Sequence, residues 1–163
     1  MTMNQIILDS YYLVKLHQDN GECISIRRLT DLLYVYEAAF MNVHEVNRIY
    51  DDEFLFGSND IFVSAVDNEF ESFKECESIM IEDKRLKAIT KRMSKQKKAD
   101  LGFIYRYFRN ISDSKVHEFI MSEDSPIEET YQNPELVYYN VVHNIGIEKA
   151  RMKTWYYDFV MKF

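Results

Sequence analysis

Structure breakers and crosslinkers are scarce in this chain, which has four glycines, two prolines and two cysteines among 163 residues. So few breakers favour long regular segments and a mainly helical fold. Cys23 and Cys76 each stand without a second Cys or His at ligand spacing. A disulfide framework and a zinc site are therefore not expected, and both thiols read as buried or half-buried. No run approaches the ~18 to 20 apolar residues that a membrane span needs. The N-terminal MTMNQIILDSYYLVK lacks a basic lead, and Asp9 interrupts its apolar run, so it does not read as a signal peptide and the expected location is cytoplasmic.

The usual scaffolds of catalysis are missing as well. His17, His44, His117 and His143 are scattered, with no HExxH pattern on a helix face. No G-x-S-x-G elbow occurs, and Gly57, Gly102 and Gly146 do not form a phosphate-cradling loop. Asp51-Asp52-Glu53 lacks the alternating oxygen ligands of a calcium loop. The expectation is a protein that is not an enzyme and uses no cofactor or metal.

What the chain does have is apolar and aromatic mass. Hydrophobic residues make up 47%, with 12 Tyr and 11 Phe, enough for one domain spanning 1–163 with a real core, since domains of roughly 100 to 150 residues are commonest. The aromatics can fill that core or face a protein partner. Net charge is −7, unevenly spread. Residues 84–98, KRLKAITKRMSKQKK, hold eight Lys or Arg and no acid, which leaves −15 for the remainder. That run reads as a solvated helix face, or as a patch for phosphates or an acidic partner surface.

Periodicity predicts a bundle of six or seven helices. Residues 4–17 form the first, with Ile6, Ile7, Leu13, Val14 and Leu16 inward, ended by Asp19-Asn20-Gly21. Ser25 caps the second, whose Ile26, Leu29, Leu32, Leu33, Tyr36 and Phe40 bury one stripe. Residues 47–57 read as extended, with a short strand at 53–56. Asn59 or Asp60 then caps a helix bearing Phe62, Val63, Val66, Phe70 and Phe73. The basic run forms a helix through Met93. Ser94 starts the next, with Leu101, Ile104, Tyr105 and Phe108 on its apolar face. Ser112 caps a short helix carrying Val116, Phe119 and Ile120, and Ser125-Pro126-Ile127-Glu128 is a capping box with proline at the first helical position. Asn133-Pro134 repeats the signal, Gly146 is read as a left-handed helix terminator, and Ile147, Met152, Trp155, Tyr156 and Phe159 line a last helix.

Three segments resemble the Panacea, or SocA-like, antitoxin family. Arg28-Leu29-Thr30-Asp31-Leu32-Leu33-Tyr34 is similar to its first helix motif. Asp52-Glu53-Phe54-Leu55-Phe56-Gly57-Ser58 resembles its aromatic-x-aromatic-Gly-Pro turn, with Phe54 for Trp and Ser58 for Pro. Val116 to Ile127 resembles its third motif, with Met121 where His is frequent and Ile127 where Trp is usual. The resemblance covers roughly residues 4 to 130 and leaves 131–163 as a C-terminal helical extension. It implies a helical bacterial or phage protein that neutralises a toxin by direct binding.

The leading expectation is thus a non-enzymatic interaction module with partner-binding residues Asp51, Asp52, Glu53, Phe54, Phe56 and Gly57, the rings as anchors and the acids as a rim facing a basic toxin or host defence protein. One rival is a phage anti-defence inhibitor, resembling an anti-CRISPR in action. A second is a nucleic-acid-binding module using Lys91, Arg92, Lys95, Lys97, Lys98 and Arg106, with Tyr105, Tyr107 and Arg109. No membrane partner is expected, and Trp155 and Tyr156 make a homodimer worth testing.

Overall fold

A computed structural model describes residues 3–57, 60–122, 125–127 and 145–156. The elements are α1 (Gln5–Asp19), α2 (Ile26–Val43), β1 (Leu55–Gly57), β2 (Asp60–Phe62), α3 (Ser64–Glu69), a 3-10 turn (Glu71–Phe73), α4 (Asp83–Thr90), α5 (Lys95–Phe108), α6 (Asp113–Ile120), β3 (Ile145–Gly146) and α7 (Lys149–Trp155). The fold is mainly helical, with a small antiparallel sheet of order β2-β1-β3. Phe56 pairs with Ile61 on one side of β1 and Ile145 on the other.

Serine and asparagine set the starts of α1, α2, α5 and α6. Ser25, Ser94 and Ser112 accept from the backbone amides of Arg28, Lys97 and Lys115, and Asn4 accepts from that of Ile6, each satisfying an amide the helix leaves without a partner. The ends of α1 and α2 are built alike. Gly21 takes the left-handed conformation after α1, so that its amide reaches the Gln18 carbonyl and that of Glu22 the His17 carbonyl. After α2, Glu45 adopts the same conformation at φ 55°, and Val46 N–H donates to the Met41 carbonyl. A residue with a Cβ pays for that turn where glycine would not.

α2 is the axis of the molecule. Every residue from Arg28 to Met41 is buried, because α1, α3, α5, α6, α7 and β2 all pack around it. The expected single stripe was too narrow: the helix carries core on all faces, and its polar members Arg28, Asp31 and Glu37 are buried with it. One continuous apolar cluster runs from Ile6 on α1 to Trp155 on α7.

Four further expectations are corrected. Asp60–Phe62 is a strand rather than the start of a helix, since Ile61 and Phe62 complete the ladder with β1 and α3 begins only at Ser64. Gly146 lies in β3 with no left-handed turn, where the Glu53 carboxylate stands 3.1 Å from the place a Cβ would occupy. Cys23 and Cys76 are both exposed, each in a connector rather than on a core face. Leu16 is only half-buried on α1. Ser58, Asn59, Glu128, Phe159 and the helix expected after Asn133-Pro134 lie outside the described residues.

Phe54 and Phe56 are core groups, at 0% and 1% exposure. They alternate with half-buried Leu55, so both rings fall on one face of the extended segment. The Phe54 ring meets Tyr34 edge-on at 5.4 Å, and its carbonyl accepts from the Ile147 amide at 2.8 Å. Truncating such a ring removes its transfer energy and leaves a cavity. Phe54→Ala is expected to lower unfolding stability by about 3 to 5 kcal/mol, read by denaturant titration; a loss below about 1 kcal/mol would show that the ring is not part of the core.

Candidate functional site

Burial removes Phe54, Phe56 and Gly57 from any contact surface, which corrects the expectation that these rings anchor a partner. Their acidic neighbours remain at the surface but are engaged. Asp51 pairs with Arg48 at 3.3 Å, Asp52 accepts from the Asn4 amide at 2.9 and 3.1 Å, and Glu53 lies against Gly146.

The basic segment separates into two populations. Lys91, Arg92, Lys95 and Arg106 are exposed, Lys98 is half-buried, and none of them makes an ion pair among the described residues. Lys97 turns inward, 18% exposed, to Asp9. Of the aromatic and basic groups expected beside them, Tyr105 is buried with its hydroxyl donating to Glu22 at 2.8 Å, and Arg109 is spent on Glu22 at 2.6 Å.

The outer face of α5 carries a pair of which the sequence singled out Tyr107, beside Arg106, but not Phe103. Phe103 and Tyr107 are 50% and 55% exposed, one turn apart, with ring centroids 6.2 Å from each other and planes within 25°. The signal was present: once Leu101, Ile104, Tyr105 and Phe108 face inward, a 3.6-residue period puts Phe103 outside. Lys95, two turns earlier, and Arg106 complete a face that is both aromatic and cationic.

Beneath the start of α5 lies a polar chain. Glu37 of α2, fully buried, accepts from the amides of Ile49 and Tyr50 at 3.0 Å each and pairs with Lys149 at 3.0 Å. The Tyr50 hydroxyl donates to Asp9 at 2.8 Å. Asp9 also receives Lys97 at 2.9 Å and Gln5 at 2.7 Å, and the Lys97 ammonium donates to the Tyr36 hydroxyl at 2.9 Å while lying over that ring at 4.6 Å. Desolvation pushes the Asp9 carboxyl above its ordinary value, with Lys97 opposing, and also raises the Tyr36 and Tyr50 phenols.

A second cluster joins α2, α6 and β2. Asp31, 1% exposed, faces His117 Nδ1 at 3.3 Å, and His117 Nε2 lies 3.8 Å from Asp60, which Arg27 meets at 3.5 Å. Desolvation, reinforced by Asp60, raises the Asp31 carboxyl to about 8 against the opposing charges of Arg27 and Arg28. Burial likewise lowers His117. Among the described residues no group of three or more His, Cys, Asp or Glu could hold a metal ion, and no helix is long and apolar enough to cross a membrane.

No family model, curated protein or solved structure matches the chain.

Asp31 gives a pH prediction. Its folded-state value near 8 lies above the ordinary 3.8, so the folded state holds this proton more tightly. The resulting stability is complete below about pH 4 and is lost as pH rises through about 8. Asp31→Asn, which keeps the shape without the charge, is expected to gain on the parent by up to roughly 1 kcal/mol per pH unit between pH 5 and 8. Parallel stability curves for the two proteins would place the titration elsewhere.

Proposed function

We propose that this chain is a non-enzymatic helical interaction module, similar in kind to a SocA-like antitoxin, that neutralises a protein partner by gripping it through the outer face of α5. The exposed Phe103–Tyr107 pair carries this reading. Two large aromatic side chains left half in water on a helix whose other face is core are costly to present. Neighbouring aromatics ringed by charge are the usual energetic centre of a protein interface. Lys95 and Arg106 supply an orienting rim, so the complementary surface on the partner is acidic at the contact. The acidic loop at 51–53, whose flanking rings are buried, becomes a peripheral feature.

The same cations support a second reading, contact with nucleic acid: Lys91, Lys95, Lys98 and Arg106 make no ion pair among the described residues, and exposed rings can stack on bases. The body of the chain, strongly acidic outside residues 84–98, opposes it through long-range repulsion.

Affinity capture of the tagged protein from its native cells separates these readings. A stoichiometric protein partner, retained after nuclease treatment, is expected. The double substitution Phe103→Ser and Tyr107→Ser should weaken that complex by at least about tenfold while leaving the helical circular dichroism unchanged. Charge reversal at Asp51, Asp52 and Glu53 should leave it largely intact. The opposite pattern would return the contact to the acidic loop, and recovery of nucleic acid alone would favour the second reading.

A further inference from the structure

A cavity of about 320 Å³ opens between the start of α1, the end of α2 and the start of α5. Its size is at the small end of ligand pockets. Leu8, Ile49 and Met93 are its apolar lining. The lining also includes His44, Arg92, Lys97 and Asp100, and the Lys97 ammonium lies over the ring of Tyr36. Behind Lys97 stand Asp9 and Tyr50, both fully or almost fully buried. A core built only for stability does better with apolar groups than with buried charges, so this concentration around one opening asks for another use.

Hydrogen-bond capacity indicates what the cavity would accept. All four carboxylate oxygens are occupied: Asp9 takes Gln5 on Oδ1, and Tyr50 and Lys97 on Oδ2, while Asp100 takes Gln96 on Oδ1 at 2.7 Å and His44 on Oδ2 at 3.0 Å. The donors are less fully used. Lys97 commits its ammonium to Asp9 and Tyr36, and an ammonium carries three donors. Arg92, with five, has no hydrogen bond or ion pair among the described residues. Arg92 and Lys97 therefore leave cationic donors unused at the opening. A ligand that completes them brings acceptor oxygens and negative charge, together with a compact apolar body to lie on Leu8, Ile49 and Met93.

The geometry points to a binding site for a small organic anion, a carboxylate or phosphate monoester with a short apolar or aromatic body. The anionic head sits between Arg92 and Lys97, and the body faces the apolar lining. This site is separate from the Phe103–Tyr107 face, so it stands or falls without the partner reading. Arg92, counted from sequence with the basic patch, belongs here.

The probes are benzoate and phenyl phosphate, with benzyl alcohol as the uncharged control, titrated into the full chain while methyl resonances of Leu8, Ile49 and Met93 are followed by NMR. Saturable shifts of these methyls with at least one anion are expected. Benzoate alone would assign a carboxylate, phenyl phosphate alone a phosphate, and both the shared anionic chemistry. Arg92→Ala, a change at an exposed residue, should weaken binding by about tenfold, the worth of a charge-assisted hydrogen bond. No shifts with either anion, equal binding of benzyl alcohol, or unchanged affinity in Arg92→Ala would each overturn the site.

Discussion

The carboxylate of Glu37 lies in the middle of α2 with no exposure to solvent, and the position of four other segments follows from how it is satisfied. A buried carboxylate without partners would be prohibitively costly. Glu37 therefore captures the amides of Ile49 and Tyr50 and the ammonium of Lys149, which also donates to the Tyr50 carbonyl. That fixes the connector after α2 and draws α7 against it. Tyr50, so held, lies tilted against Tyr36 and delivers its hydroxyl to Asp9, and Asp9 in turn receives Lys97 at the first turn of α5. One line of polar contacts thus runs from α7 through α2 and α1 to α5.

The functional consequence lies at the far end of that line. Lys97 holds one side of α5 inward, together with Leu101, Ile104 and Phe108, and the helix has no freedom to bury its opposite side. Phe103 and Tyr107 are left outside as a direct result. The basic run that looked uniform in sequence is divided by the same geometry into an internal strut, a cavity wall and an external face. The exposed cations of α5 stand in contrast to the acidic remainder of the chain, and the proposed acidic partner surface rests on that contrast.

The starts of α2, α5 and α6 were legible because each rests on one short-range contact, made by Ser25, Ser94 and Ser112. The extended segment and strand near residue 55 were also legible. Periodicity misled at Ile61-Phe62-Val63, where apolar residues serve a strand whose partner lies a few residues away in β1. It also understated α2, because a stripe of leucines says nothing of Arg28, Asp31 and Glu37, which are buried only through Phe108, His117, Lys149 and other distant partners. The candidate site was hidden for the same reason. Phe54 and Phe56 read as anchors when their alternation already placed both rings on one face, and Lys97 is indistinguishable from Lys95 until Asp9, 88 positions away in the chain, is seen beside it.

The dependence of α5 on this polar line is tested most directly by a double-mutant cycle on Asp9→Asn and Lys97→Met, with unfolding free energy as the readout. Each single change strands or removes a buried charge, and the pair should be coupled by at least about 2 kcal/mol, the double variant losing much less than the sum. Additivity within about 0.5 kcal/mol would mean that the two groups act independently and that apolar packing alone sets the position of α5.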